Sequence, residues 1–464
     1  METRTESDAL GERKVPRDAY YGIQTDRALE NFPISGIRAH TSFIDATVHI
    51  KRAAALVNKD LRLLDPTIAD AIVRAADEVL EGKLREWFPV DVFQAGAGTS
   101  HNMNVNEVVA NRAAEFVGGR KGDYSMVHPN DHVNMAQSTN DVCPTAIRIA
   151  SLLEAQSFLP AVERLASAFL EKGNAFDAVI KSGRTHLMDA VPVRLGQEFT
   201  AYGNNILFHA RAIRSALEDC KELGIGGTAT GTGLNAHPEY RRKMIGQLSR
   251  QLGMEFRPVE DYFEAMQSLR PVVGLSGSLR NLAQDLTRIM NDLRLLASGP
   301  KTGLAEIILP AVQPGSSIMP GKVNPTIPEM VNMVCFQVIG CDTTILLASQ
   351  AGQLELNVMM PVVAFNLLHM FSILRTSLTV LEEKCVRGIT ANTDRCRSYA
   401  ENSASIVTVL NPHIGYRAAA EIAKEYLSSG KSLRELLREK NILNSDEIER
   451  LLDVRELTQP GIRD

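Results

Sequence analysis

The sequence predicts an all-α protein built from long helices. Apolar residues recur at steps of three and four along several segments of the 464-residue chain, a spacing that places them on one face of a helix. Alternation of polar and apolar residues, which is typical of a half-buried strand, is scarce. Several periodic segments exceed the usual helix length of about 11 to 12 residues. Long helices with apolar faces usually pack as bundles, within one chain or between chains.

The first four helices are predicted in the N-terminal part of the chain. Apolar spacing predicts them over Phe43 to Leu61, Pro66 to Gly82, Asn104 to Val117 and Thr145 to Gly173. We expect a kink at Pro160 in the fourth helix, because proline lacks the N–H group that a helix interior uses.

The strongest periodicity lies in the middle of the chain. Seven apolar residues keep alternating steps of four and three before Gly299-Pro300 ends the helix: Leu275, Leu279, Leu282, Leu286, Ile289, Leu293 and Leu296. Similar spacing predicts helices over Leu195 to Leu217 and Val331 to Ala348. From about Thr393 the pattern breaks into shorter pieces, which predicts a small C-terminal domain. These pieces are Ala418 to Leu427, Ser432 to Glu439 and Ser445 to Leu452.

Composition and charge argue against several classes of protein. Lysine and arginine number 50 against 55 aspartates and glutamates, a formal charge of -5, so no nucleic acid or membrane partner is expected. The N-terminus lacks the apolar region of a signal peptide, and we expect a cytoplasmic protein. The longest uncharged apolar stretch, Val358 to Phe365, contains Pro361 and is shorter than the roughly 20 residues of a membrane-spanning helix.

Cysteine spacing gives no sign of a metal ribbon or a disulfide framework. The six cysteines are scattered and no two form a Cys-x-x-Cys pair, so we expect reduced, mostly buried thiols. The positions are Cys143, Cys220, Cys335, Cys341, Cys385 and Cys396.

Five segments between the helices are dense in glycine and in small hydroxyl or amide residues, and are the places where chemistry is expected. They are Gln94 to Ser100, which runs into Asn102, Asn104 and Asn106; His128 to His132 with Gln137 to Asp141; Gly183 to Asp189; Gly226 to Asn235; and Gly315 to Pro325.

Nucleotide-binding motifs do not fit these segments. A P-loop needs four residues between its glycines and a hydroxyl residue after its lysine. Here five residues separate Gly315 from Gly321, and Val323 follows Lys322. Gly96-Ala-Gly98 lacks the third glycine and the preceding strand of a dinucleotide fingerprint.

Metal and hydrolase sites are also disfavoured. His128 and His132 are four residues apart, but Pro129 between them opposes a regular helix and no His-Glu-x-x-His motif exists. We therefore expect no metal site. A triad of Ser316, His186 and Asp189 lacks the Gly-x-Ser-x-Gly turn and the α/β pattern that would carry it.

The remaining polar residues suit a small dicarboxylate. Lysine supplies positive charge, and threonine, serine and asparagine supply oriented hydrogen bonds. The structural alternative for each hydroxyl is helix capping, because Thr99, Ser138 and Thr185 lie near predicted helix starts.

One of these segments carries a family resemblance. Gly315-Ser-Ser-Ile-Met-Pro-Gly-Lys-Val-Asn-Pro325 resembles the signature loop of the aspartase/fumarase superfamily. The other four resemble characteristic regions of that family in the same order, from about Tyr20 to the C-terminus. The resemblance implies three domains, expected here at residues 1–140, 141–394 and 395–464. It also implies a homotetramer with a twenty-helix core, whose active sites are each shared by three subunits.

Within the family, three segments favour the aspartate ammonia-lyases over the class II fumarases. They are Thr99-Ser100, Gln137-Ser-Thr-Asn140 and Gln353 to Met359. The resemblance then implies reversible conversion of L-aspartate to fumarate and ammonia without an organic cofactor. Fumarate hydratase, which acts on L-malate, is the alternative. His186 occurs in both groups, and His101 departs from the small or apolar residue expected there.

The resemblance implies a role for each candidate residue. Ser316 would be the base that removes a proton beside a carboxylate. Backbone amides of its loop and nearby Lys322 would stabilise the alkoxide of this serine. Glu329 would orient His186 and raise its pKa, although it equally suits a helix N-terminus. Gly315 and Gly321 would let the loop close over the substrate.

The remaining candidates would hold the substrate. Lys322 and Asn324 would bind a carboxylate, and the other carboxylate donors would be Ser138, Thr139 and Thr185. Thr99, Asn140 and His186 would surround the amino group.

His128, Asn130 and Asp131 resemble a second dicarboxylate site of fumarases, for which an anion-attracting helix N-terminus is the plain alternative. A catalytically silent helical protein is a further alternative. It would be expected to lack Ser316, Lys322 or Asn324, and all three are present.

Overall fold

The protein is mostly helical. The computed structural model describes residues 2–462, with 62% of the chain in helices and 8% in strands. The all-α prediction is confirmed. The helices are α1 (Ile23–Asn31), α2 (Thr41–Asp60), α3 (Pro66–Leu80), α4 (Thr99–Phe116), α5 (Thr139–Ala175), α6 (Leu195–Asp219), α7 (Tyr240–Leu252), α8 (Tyr262–Gln267), α9 (Arg270–Leu296), α10 (Thr326–Gln350), α11 (Met360–Lys384), α12 (Thr393–Asn402), α13 (Asn411–Ser429), α14 (Leu433–Glu439) and α15 (Ser445–Leu451).

The strands form four small two-stranded sheets. Three are antiparallel, and one, formed by two-residue strands, is parallel. The antiparallel pairs are β1 (Thr3–Asp8) with β2 (Gly11–Pro16), β3 (Ile180–Thr185) with β4 (Met188–Arg194), and β7 (Ile307–Ile308) with β8 (Thr390–Ala391). The parallel pair is β5 (Glu222–Leu223) with β6 (Arg257–Pro258).

The periodic segments of the sequence are helices close to their predicted bounds. The seven apolar residues that predicted α9 are all buried, as their spacing requires. Helix α5 runs without interruption through Pro144 and Pro160. Helix α4 begins at Thr99, five residues before its predicted start, directly after Gly98 in the left-handed conformation with φ +90°.

Helix α11 was missed. The sequence analysis considered Val358 to Phe365 only as a membrane span, and Pro361 within this stretch is the second residue of the helix. There its missing N–H costs nothing, because the first-turn amides have no partner within a helix.

Two helical segments of the described chain, residues 326–350 and 360–388, are long and apolar enough to span a bilayer. The apolar stretches are therefore longer than Val358 to Phe365 suggested. In their most apolar windows 39% and 56% of the residues are buried in the chain itself. Buried helices of ordinary cores have the same composition, and the absence of a membrane partner stays a prediction.

Residue contacts divide the chain into two compact units. Unit 1 comprises Met1–Pro160, Arg211–Ala283 and Phe336–Arg375, and unit 2 comprises Ala161–Ala210, Gln284–Cys335 and Thr376–Asp464. The division follows contacts within one chain, and the three domains at 1–140, 141–394 and 395–464 stay a prediction.

Each unit has a core of buried apolar side chains. In unit 1, valines and isoleucines of α2, α3 and α4 pack together, among them Val48, Ile72 and Val105. In unit 2, the C-terminal helices enclose Leu437 and Ile448. All six cysteines are free and buried, as expected.

Candidate active site

The loop before α10 holds Ser316 among backbone amides. Its Oγ accepts hydrogen bonds from the N–H groups of Ile318 and Met319, at 3.2 and 3.0 Å. Both bonds are neutral in the resting hydroxyl and become charge-assisted if the oxygen loses its proton. The loop therefore contains donors suited to stabilising an alkoxide at Ser316.

The base of this loop is closed by Gly315. Its N–H donates to the carbonyl oxygen of Lys322 at 2.8 Å, and its own carbonyl oxygen accepts from Asn324 Nδ2 at 2.6 Å. A Cβ atom at Gly315 would lie 2.5 Å from the Lys322 oxygen, so only glycine fits. Gly321 has φ +81°, a conformation that other residues rarely adopt.

Lys322 and Asn324 end the loop with polar groups available to a ligand. Lys322 is exposed, and its ammonium forms no ion pair within the described residues. Asn324 uses one N–H to close the loop, which leaves its second N–H and its carbonyl oxygen. A free cation beside amide donors can bind a carboxylate.

Thr185 and His186 lie on the β3–β4 hairpin of unit 2, which the sequence analysis did not predict. Thr185 pairs with Met188, so His186 and Leu187 form a two-residue turn. Both have positive φ, 55° and 61°, as a type I′ turn requires. The turn presents Thr185 and His186 to solvent.

Buried ion pairs support the hairpin. Lys181 Nζ lies 2.8 Å from Glu198 and 3.4 Å from Glu306, and Arg184 Nη1 lies 2.8 Å from Glu306. Glu306 is fully buried, and burial raises the pKa of Glu198. These charges fix the strand that leads to Thr185.

Glu329 lies in the first turn of α10, where its carboxylate suits the helix dipole. Its N–H donates to Pro325 at 3.1 Å. No hydrogen bond joins Glu329 to His186 within the part of the chain that the structure describes. Their expected pairing stays a prediction for an assembly of several chains.

The unit 1 candidates lie at the starts of two helices. Thr99 is the exposed first residue of α4. Thr139 begins α5 and is mostly buried, while Ser138 and Asn140 beside it are half-buried. Ser138 Oγ accepts from the Asn140 N–H at 3.2 Å, and Asn140 Nδ2 donates to the Ala229 oxygen at 2.8 Å. Ser138 thus accepts an N–H group at the start of α5, as the helix-capping alternative predicts.

The second anion site was predicted at His128, Asn130 and Asp131. The N–H groups of Asn130 and Asp131 donate to His128 Nδ1 at 3.2 and 3.1 Å. These two N–H groups are therefore already hydrogen-bonded to the imidazole, although an anion would need them as donors. The second anion site stays a prediction.

Three buried polar residues of unit 1 were missed or left open by the sequence analysis. Lys51, on the apolar face of α2 between Val48 and Ala55, is fully buried, and burial lowers its pKa to about 7. Burial raises the pKa of Asp141 to about 6. His101 stacks on Phe43 with 4.3 Å between the ring centres. Its pKa falls to about 3 through burial and the Lys51 charge, so it is neutral. The spacing of Lys51 from Val48 and Ala55 could have indicated its burial, because residues three and four apart lie on the same face of a helix.

The described residues contain no group of three or more histidine, cysteine, aspartate or glutamate side chains that could hold a metal ion, and the absence of a metal site stays a prediction.

Comparison with known sequences places this chain in a family. Residues 11–340 match the family described as lyase, and residues 406–459 match the fumarase C C-terminus. The chain belongs to the aspartase/fumarase superfamily of lyases.

Relatives within this superfamily align over nearly the whole chain. An aspartate ammonia-lyase of Bacillus subtilis (strain 168) is 50% identical over 99% of this chain and 97% of its own length. One of Helicobacter pylori (strain 26695) is 46% identical over 98% of both. A class II fumarate hydratase of Thermosynechococcus vestitus is also 46% identical, over 97% of this chain and 96% of its own.

Solved structures of the superfamily have the same fold. The fumarate lyase:delta crystallin of Brucella melitensis, bound to cobalt, superposes with a TM-score of 0.96 at 49% identity, covering 99% of this chain and 100% of its own. The class II fumarase of Schistosoma mansoni also gives 0.96, at 38% identity and 98% and 99% coverage. The chain is an enzyme of this lyase superfamily.

Proposed function

We propose that the chain is an aspartate ammonia-lyase, a carbon–nitrogen lyase that converts L-aspartate to fumarate and ammonia in the cytoplasm. The arrangement of the Ser316 loop carries the proton-abstraction part of this proposal: a serine oxygen accepts two backbone N–H groups, and within the described residues the Lys322 ammonium near the end of the loop forms no ion pair. The aspartate ammonia-lyases at 46% to 50% identity support the same substrate.

In the proposed reaction, the alkoxide of Ser316 takes a proton from Cβ of L-aspartate and becomes a neutral hydroxyl, which gives that proton to the released ammonia at the end of the cycle. The electron pair of the C–H bond moves into the adjacent carboxylate, which becomes an aci-carboxylate with extra negative charge. That pair then forms the Cα–Cβ double bond while the C–N bond breaks, and ammonia leaves with the electrons of that bond. Preorganised donors lower the energy of the charged intermediate, each by about 3 to 4 kcal/mol.

The substrate is proposed to lie among several polar donors. Lys322 and Asn324 bind a carboxylate together with hydroxyl donors, and three residues surround the amino group. The hydroxyl donors are Ser138, Thr139 and Thr185, and the residues around the amino group are Thr99, Asn140 and His186. Glu329 orients His186.

We further propose a homotetramer with sites shared by three subunits. The exposed apolar face of α10 supports an assembly, since Met333, Phe336 and Leu347 are all more than half exposed in the single chain.

Fumarate hydratase is the second candidate. The Thermosynechococcus vestitus relative and the Schistosoma mansoni structure favour it. Purified protein is given L-aspartate in one cuvette and L-malate in another, and the ultraviolet absorbance of fumarate is followed. A rise with aspartate alone is expected, whereas a rise with malate alone would replace the proposal with a fumarase.

A further inference from the structure

The carboxylate of Asp141 joins two polar loops of unit 1. It directly follows Ser138-Thr139-Asn140 and is fully buried. Its Oδ1 accepts the Ser138 N–H at 2.9 Å, and its Oδ2 accepts the N–H groups of Gly226 and Thr228, each at 2.9 Å. One side chain thus connects the start of α5 to a loop 85 residues further along the chain.

Two further features hold these loops in one geometry. Asn140 Nδ2 donates to the Ala229 oxygen at 2.8 Å, which is a second connection between the same loops. Gly226 and Thr228 have φ values of +90° and +57°. The second value is unfavourable for threonine, so it persists only where surrounding bonds impose it.

Lys51 contacts the turn that precedes α5. Its buried ammonium donates to the side-chain oxygens of Asn102, Asn134 and Gln137, at 2.7, 2.8 and 3.0 Å. The three donors of an ammonium are therefore all used. Gln137 in turn donates to the Val133 oxygen at 3.0 Å. The turn that leads into Ser138 is fixed by these bonds.

Helix capping explains only part of this arrangement. In a capping box, a carboxylate three residues after a serine accepts the backbone N–H of that serine. The second oxygen of such a carboxylate is not required for the cap. Here the second oxygen binds a distant loop, and within the described residues no cation lies within 4.0 Å of the carboxylate. Burial of a charge without a nearby cation lowers the stability of the fold. A carboxylate that served only as a helix cap would not have to be buried.

We propose that Asp141 is a positioning residue, which together with Lys51 holds Ser138, Thr139 and Asn140 in the orientation that binds the substrate. The inference rests on the proposed function, in which these three residues are substrate donors. It adds two residues that act through them and do not touch the substrate.

The test compares four proteins: wild type, Asp141→Asn, the double variant Lys51→Met/Asp141→Asn, and Glu107→Gln. Glu107 is a matched control, because it is a buried carboxylate of the same unit that accepts the backbone N–H groups of Gly22, Gln24 and Thr25. Thermal unfolding and kcat/KM for L-aspartate are measured for each, with rates taken well below the unfolding temperature.

We expect Asp141→Asn to lower kcat/KM about 100-fold, since small misplacement of binding groups has effects of that size. Glu107→Gln is expected to lose stability and keep its kcat/KM. The double variant also removes the Lys51 ammonium, which leaves the side-chain oxygens of Asn102, Asn134 and Gln137 without that donor, so its stability is expected to fall below that of Asp141→Asn. Its kcat/KM is expected to stay low. A kcat/KM close to that of the wild type in either Asp141 variant would show a purely structural role and overturn the proposal.

Two outcomes need a separate readout. If Asp141→Asn does not fold, Asp141→Glu is measured in its place, because the longer side chain keeps the charge and displaces the oxygens that accept the N–H groups of Ser138, Gly226 and Thr228. If the wild type releases no fumarate from L-aspartate or from L-malate, the proposed function fails. The positioning role is then judged by calorimetric binding of succinate, an unreactive dicarboxylate. Weaker binding by the Asp141 variants than by Glu107→Gln supports the role, and equal binding overturns it.

Discussion

At the scale of single residues, two hydrogen bonds to Ser316 bear on its proposed role as a base. The Ile318 and Met319 amides donate to its Oγ at 3.2 and 3.0 Å. Such fixed dipoles favour the anion over the neutral hydroxyl, so they support proton removal by a residue that is ordinarily a poor base.

Loss of that oxygen is expected to remove catalysis without disturbing the fold. Ser316→Ala should lower kcat about 1,000-fold, within the usual range for a proton-transferring group. The exposed neighbour Ser317 is the matched control, and Ser317→Ala should retain activity. Rates and sedimentation of both variants check this, and near-normal turnover by Ser316→Ala would refute the base assignment.

Lys322 is expected to act through binding as well as rate. Lys322→Met removes a charge-assisted hydrogen bond of about 1.5 to 3 kcal/mol, so kcat/KM should fall about 10- to 100-fold with a higher KM. Lys301→Met, at another exposed lysine of unit 2, should leave both constants unchanged. Steady-state kinetics with L-aspartate measure the effect, and an unchanged KM would argue against carboxylate binding.

At the scale of elements, Glu107 connects α4 to the start of α1. Its carboxylate accepts N–H groups at Gly22, Gln24 and Thr25, and the Thr25 hydroxyl donates to it at 2.6 Å. Burial raises the pKa of Glu107 to about 7 from its ordinary 4.5, against the opposing effect of these bonds.

This shift predicts a pH dependence of stability. Between pH 4.5 and about 7 the folded chain keeps a proton at Glu107 that the unfolded chain has lost. The free energy of unfolding therefore falls as pH rises through this window, by at most about 3 kcal/mol. Glu107→Gln should flatten that part of the curve. Denaturant unfolding of both proteins at several pH values checks this, and parallel curves would contradict it.

At the scale of the whole molecule, α10 presents more apolar surface than one chain can cover. Met333, Phe336 and Leu347 share one helix face and are 68%, 60% and 56% exposed. A surface of this kind favours association with another chain.

Charge on this face is expected to break the assembly. Met333→Glu/Phe336→Glu should sediment as a smaller species and lose activity, because the proposed sites are shared between subunits. Leu427→Glu changes a leucine outside α10 that is at least as exposed as Met333 and Phe336, and this variant should remain assembled and active. Sedimentation velocity with parallel rate measurements tests both, and an unchanged assembly in the first variant would contradict the proposed interface.

The sequence by itself determined most of the long helices and supplied the residues that are proposed for the site. The spacing of Leu275 to Leu296 specified a buried helix face, because periodicity depends on neighbours within one helix. The Ser316 loop was also recognisable, since its glycines and polar residues are contiguous. Helix α11 was missed, although a proline in the first turn, as at Pro361, is compatible with the start of a helix.

Only the tertiary structure decided which polar groups are buried and what they hold. The pattern around Lys51 does not reveal its amide partners, and nothing near Asp141 indicates the loop at Gly226. The hairpin of His186 was equally hidden. Hydrogen bonds between distant segments depend on how the helices pack, and desolvation depends on everything around a group. Long-range hydrogen bonding and desolvation both depend on residues far apart in the sequence, whereas helix periodicity depends only on neighbouring residues.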